Sequence, residues 1–188
     1  MVKKSYISVL ITNYNKEKFL EKSLKYVCNQ NFKNYEVIIF DDCSTDRSIN
    51  IIKKYKKVKL IINKSKNKKG SGPLNQINGI IECFKRSKGN IICLLDSDDY
   101  FKKDKLFNIN RFFQRNKKLN CVFDFPINNT SQFIFKEKNT KTSIWPTIFP
   151  TSCISVRKKF LKIFLNNVDK NQLPNLEIDA RLAIFSKF

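Results

Sequence analysis

Four short apolar runs recur along the first hundred residues, and a stretch with helical spacing follows each one. Residues 6–12, 37–40, 58–62 and 91–95 are rich in Ile, Val and Leu, with few polar residues at alternate positions. That pattern marks strands buried on both faces. Between and after the runs, Leu20, Leu24 and Val27 share a face of a helix over 16–29. Ile49, Ile52 and Tyr55 mark a helix that Ser44-Thr45-Asp46 would cap, Leu74, Ile77, Ile81 and Phe84 mark one over 74–84, and Asp104 opens one carrying Leu106, Ile109, Phe112 and Phe113. Strands apolar on both faces, joined by helices, require an α/β fold: a parallel sheet covered on both sides. Ligands of such sheets bind beyond the C-terminal ends of the strands.

After Asn120 the rhythm changes. Residues 121–125 and 132–135 read as strands without a full helix between them, 145–150 as an irregular apolar stretch, 155–165 as a helix and 176–185 as another. At 188 residues the chain is expected to form one domain over 1–188. Residues 1–120 would make one half and 121–188 the other.

Charge sets the partner classes. Lys and Arg number 37 against 16 Asp and Glu, a formal net charge of +21, and 31 of the basic residues are Lys. Such a surface either attracts polyanions or is a solvated face that compositional bias toward Lys, Asn, Ile and Phe explains. Histidine is absent, which excludes Ser-His-Asp, Cys-His and zincin chemistry. Neither a GxxxxGK[ST] loop nor a GxGxxG after a strand is present. The six cysteines show no CxxC pair, and several sit in apolar runs, so they read as core fillers in a reducing, cytoplasmic setting. No apolar stretch approaches the ~20 residues that cross a bilayer.

The scarce acidic residues carry the chemistry. Asp41-Asp42 follows the second run and Asp96-Ser97-Asp98-Asp99 the fourth. Asp and Ser after a strand are ordinary turn residues. Three Asp in four residues repel one another, however, and are better tolerated beside a divalent cation that shares its shell with phosphate.

These segments carry a family resemblance. The stretches 7–16 (ISVLITNYNK), 37–46 (VIIFDDCSTD) and 94–101 (LLDSDDYF) resemble, in order and spacing, three signatures of the GT-A fold, family 2 glycosyltransferases. Residues 150–158 are similar to the family's acceptor-side strand and helix, and 177–181 (EIDAR) to its catalytic segment. The resemblance implies a GT-A, Rossmann-like, mostly parallel sheet, with a nucleotide-diphospho-sugar as donor. It implies inverting transfer to a glycan or lipid-linked acceptor in cell-surface polysaccharide or glycolipid assembly. Thr12 and Tyr14 would line the base pocket, and Asp42 would bond the base. Asp96 would touch ribose or metal, Asp98 would ligate Mn²⁺ or Mg²⁺ (a DxD motif), and Asp179 would be the general base. Where relatives have Ala-Arg-Asn before the third helix, this chain has Leu74-Asn75-Gln76. A cationic donor contact would then come from Arg86 or from a loop lysine such as Lys68 or Lys69. Family members usually continue past the catalytic segment, so the chain is expected to be C-terminally short. The implied location is cytoplasmic, with peripheral contact at the inner face of the plasma membrane and no nucleic-acid partner. Two alternatives stand beside this reading: a haloacid dehalogenase-like phosphatase using Asp96, and a non-catalytic polyanion-binding module built on the lysines over 53–69.

Overall fold

A computed structural model describes residues 5–63, 71–126, 146–169 and 171–187. The elements run β1 (Ile7–Asn13), α1 (Glu17–Cys28), β2 (Tyr35–Asp41), α2 (Ser48–Lys53), β3 (Val58–Ile62), α3 (Gly72–Arg86), β4 (Ile91–Asp96), α4 (Lys105–Arg115) and β5 (Cys121–Phe123). A 3-10 turn (Thr151–Cys153), β6 (Ile154–Arg157), α5 (Lys158–Asn167) and α6 (Ile178–Lys187) follow. The strands form one sheet in the order β3-β2-β1-β4-β6-β5. The first four are mutually parallel, while β6 runs antiparallel to both β4 and β5.

The period of two along each strand explains the unbroken apolar runs. Val9, Ile11, Val37, Ile39, Cys93 and Leu95 face one side, against Leu20 and Leu24 of α1, Ile52 of α2 and Leu106, Ile109 and Phe113 of α4. Leu10, Ile38, Ile92 and Leu94 face the other, against Ile77 and Ile80 of α3, Leu161 and Phe164 of α5 and Ile178 and Leu182 of α6. Both faces are dry, so no strand position in the centre of the sheet needs a polar residue.

Three boundaries differ from the sequence reading. Residues 155–157, expected in a helix, belong to β6, where Val156 lies opposite Ile92 and Ser155 opposite Cys93. Ile154, Ser155 and Val156 are all buried in the sheet, and the helical spacing of Phe160, Leu161 and Phe164 begins only at Lys158. Helix α3 begins at Gly72 rather than Leu74: Ser71 caps it, its Oγ accepting from the Leu74 N–H at 3.4 Å, and Pro73 occupies the first turn. Helix α2 begins at Ser48, past the expected cap, and Asp46 accepts from the N–H groups of both Ser48 and Glu17, at 2.9 and 3.0 Å. The expected strand over 132–135 lies outside the described residues, as does Trp145. Cys28, Cys83, Cys93 and Cys153 are buried, and all six cysteines are free thiols. Burial pushes the Cys83 and Cys93 thiols up to about 12 and about 11, so they act as inert filling.

Candidate active site

Parallel register brings the C-terminal ends of three strands side by side. Thr12 lies opposite Phe40 and Asp96, and Asn13 opposite Asp41. Beyond these ends, the N-terminus of α3 and the segment before α6 close a cavity of about 640 Å³.

Two tight turns shape its wall. Asn15 (φ 50°) and Cys43 (φ 60°) adopt left-handed backbone, which Asn tolerates better than most residues. Asn15 ties the turns together: its side-chain Oδ1 accepts from the Thr45 N–H at 2.8 Å, while its backbone N–H donates to Ser44 Oγ at 3.0 Å. Asp41 is fully buried, accepting from Asn13 Nδ2 at 2.8 Å and from the Ser44 N–H and hydroxyl at 2.9 and 2.7 Å. It therefore supports the turns, and its neighbour Asp42 faces the cavity. Asn63 Nδ2 donates to Asp42 Oδ1 at 2.8 Å.

Thr12, Tyr14, Asp42, Asp96 and Asp98 all line this cavity. Asp179 does not. It sits in the first turn of α6, two residues past Glu177, which does. Its charge nevertheless reaches Asp96 and contributes to raising that carboxyl. Burial raises the Asp179 carboxyl itself above its ordinary range, against the Ala180 N–H, which donates to Asp179 Oδ1 at 2.6 Å.

Asp96 is the most perturbed acid of the cavity. Burial first, then the adjacent Asp98 and Asp99, push its carboxyl up to about 7, although Gln76 Nε2 donates to its Oδ1 at 2.8 Å. Asp98 instead pairs with the Lys16 ammonium at 2.6 Å. This donor set fits a hard divalent cation, because crowded carboxylate oxygens are stabilised by one. Among the described residues no three His, Cys, Asp or Glu side chains converge to hold an ion by themselves. A cation here would need oxygens from a bound diphosphate as well.

Of the residues expected to supply a cationic donor contact, one is described. Arg86 sits at the far end of α3, about 20 Å along the axis from the cavity end at 1.5 Å per residue, and pairs with Glu82 at 2.8 Å. Lys68 and Lys69 lie outside the described residues. Among the described residues the lysine lining the cavity is Lys16, part of the first signature but without an assigned role in the sequence reading. Gln76 and Ser152 were also missed. Gln76 stands in the segment that departs from the family, and Ser152 Oγ meets both the Asp96 N–H and the Asp99 carboxylate.

A parallel sheet with an acidic cavity at the ends of β1, β2 and β4 is the arrangement of the GT-A fold. Residues 8–178 match the family model described as Glycosyl transferase family 2, and the chain belongs to that family. It is 34% identical over 122 residues to TuaG of Bacillus subtilis, named as a teichuronic acid biosynthesis glycosyltransferase, covering 65% of this chain and 46% of that protein. It is 35% identical over 112 residues to the Escherichia coli enzyme UDP-Glc:alpha-D-GlcNAc-diphosphoundecaprenol beta-1,3-glucosyltransferase WfaP, covering 59% and 42%. The crystal structure of S. aureus TarS 1-349 in complex with UDP-GlcNAc matches with a TM-score of 0.63 at 24% identity, covering 84% of this chain and 47% of that one. The chain thus spans less than half the length of these relatives. Family membership displaces the phosphatase reading of Asp96.

Proposed function

We propose that the chain is the donor-binding and catalytic part of a metal-dependent, inverting glycosyltransferase. It transfers a sugar from a nucleotide-diphospho-sugar to a hydroxyl of a glycan or lipid-linked acceptor in cell-surface polysaccharide or glycolipid assembly. One observation carries this: Asp42, Asp96 and Asp98 share one cavity at the strand ends.

Each residue has a role in that reading. Tyr14, 45% exposed, and Thr12 flank the nucleotide base, and Asp42 accepts a base N–H. Asn13 also lines the cavity, and its Oδ1 is buried with no hydrogen-bond partner among the described residues. That orphan acceptor favours a ligand carrying a hydroxyl or amine. Asp98, with Asp96, would hold Mn²⁺ or Mg²⁺, which when bound neutralises charge on the departing nucleoside diphosphate. Lys16 then exchanges Asp98 for the diphosphate, supplying a cation that the cavity end of α3 does not carry. Asp179 takes the proton of the acceptor hydroxyl as that oxygen bonds the anomeric carbon, opposite the C–O bond that breaks to diphosphate. Inversion follows from that geometry.

The relatives support a uridine diphosphate donor and a lipid-linked acceptor, since TarS is solved with UDP-GlcNAc and WfaP is named for a diphosphoundecaprenol acceptor. The protein works at the cytoplasmic side, its lysines holding it at the anionic inner face of the plasma membrane. No helix among the described residues is long and apolar enough to cross a membrane.

A thermal-shift panel of nucleotide-sugars with and without Mn²⁺ tests the site. A donor at 100 times its Kd stabilises by about 2.7 kcal/mol. The shift should require Mn²⁺ and vanish in Asp98→Ala. If no nucleoside diphosphate or its sugar gives a metal-dependent shift, the assignment is wrong.

A further inference from the structure

We infer that Ser152 is a positioning residue that pins both ends of the Asp96-Ser97-Asp98-Asp99 turn, so that Asp96 and Asp98 face the cavity and Asp99 faces away. The inference rests on the metal-dependent reading above and assigns a residue from the second half of the chain to it.

The polarity of the contact is fixed. The Asp96 N–H, 3.0 Å from Ser152 Oγ, can only donate, so the hydroxyl must accept there. Its single proton is then directed at Asp99 Oδ2, 2.7 Å away. Asp96 and Asp98 line the cavity and Asp99 does not. One hydroxyl therefore separates three near-identical carboxylates into two that face a ligand and one that does not.

Ser152 can do this because its own backbone is held. It lies in the 3-10 turn closed by the Cys153 N–H on the Pro150 carbonyl at 2.8 Å, and the Asp124 N–H donates to the Cys153 carbonyl at 3.0 Å. The Lys105 ammonium bonds the Asp124 carboxylate and reaches the Ser152 carbonyl at 3.4 Å. The turn continues directly into β6, which pairs with β4, the strand that ends in Asp96. Without the hydroxyl, neither the Asp96 N–H nor the Asp99 carboxylate is held, and the turn that carries Asp96 and Asp98 loses its anchor.

Mn²⁺ titration followed by electron paramagnetic resonance, with uridine or guanosine diphosphate present, reads the effect directly. Ser152→Ala should bind Mn²⁺ about tenfold more weakly, the scale of one hydrogen bond to a charged group. Donor KM should rise while kcat at saturating donor and metal stays near wild type. Ser152→Thr should restore binding, and Asp99→Asn, which still accepts the bond, should match wild type. Asp99→Leu breaks the same bond from an exposed position, so it should weaken Mn²⁺ binding even if Ser152→Ala fails to fold. Folded Ser152→Ala and Asp99→Leu with wild-type Mn²⁺ affinity would overturn this inference alone. A wild-type protein that binds no Mn²⁺ with either nucleotide would overturn the metal reading beneath it.

Discussion

Replacing Glu36 tests how the sheet is anchored at the end opposite the cavity. Glu36 is 6% exposed, and its carboxylate accepts from Ser8 Oγ at 2.7 Å, the Lys88 N–H at 2.6 Å and Lys59 Nζ at 2.5 Å. These contacts join β1, β2, β3 and the approach to β4. Charged hydrogen bonds from Ser8 and Lys88 contribute about 1.5–3 kcal/mol each. The Lys59 pair adds little, since its ammonium is half exposed. Glu36→Ala should therefore cost about 3–5 kcal/mol, or a Tm lower by roughly 10 °C at 2–4 °C per kcal/mol. The pH dependence identifies the cause. Burial alone would raise the Glu36 carboxyl, but Lys59, Lys88 and Ser8 outweigh it and hold it below its ordinary range. A depressed folded pKa stabilises fully above the unfolded value of about 4.3 and is lost as pH falls through the folded one. Urea titrations at pH 7 and at pH 3 should show the gap between wild type and Glu36→Ala narrowing in acid. A gap of equal size at both pH values would refute the electrostatic account.

Two further outcomes concern the proposed site. Because burial raises Asp179, the acid limb of kcat/KM for sugar transfer should sit above the ordinary carboxylate value near ~3.9, activity falling as pH drops through it. Asp179→Asn should cost about 10²–10⁴ in kcat, measured as nucleoside diphosphate release, and remove that limb. A Cβ on Gly79 of α3 would lie 2.8 Å from both Phe40 and Thr12, which line the cavity. Gly79→Ala should thus destabilise by about 1–3 kcal/mol through overpacking and raise donor KM. An unchanged KM together with an unchanged Tm would show that α3 is not held tightly against Phe40 and Thr12.

The central parallel strands β1, β2 and β4 were legible because both faces are apolar over runs too short for a helix, whereas the edge strand β3, expected to be buried on both faces, exposes Lys59 and Ile62. β6 was not legible, because four residues running directly into a helix leave too little alternation to separate the two periods. The acidic signatures located the cavity, yet assigning Asp41 to the turn and Asp42 to the cavity required the register that sets Asn13 against Asp41. Lys16 meets Asp98 across 82 residues and Ser152 meets Asp96 across 56. Contacts at such separations are consequences of topology, with no local pattern to announce them.

Placing β6 between β4 and β5 also constrains how the chain is made. β4 is complete at Asp96, but its free edge is covered only once residues 154–157 have emerged. At synthesis rates of about 5–20 residues per second, that edge waits several seconds with Ile91, Ile92 and Cys93 paired to β1 alone. A fragment ending near residue 120 would keep the exposed edge indefinitely, and an open apolar edge recruits other strands. The first half of the chain therefore depends on the second to cover the edge of β4.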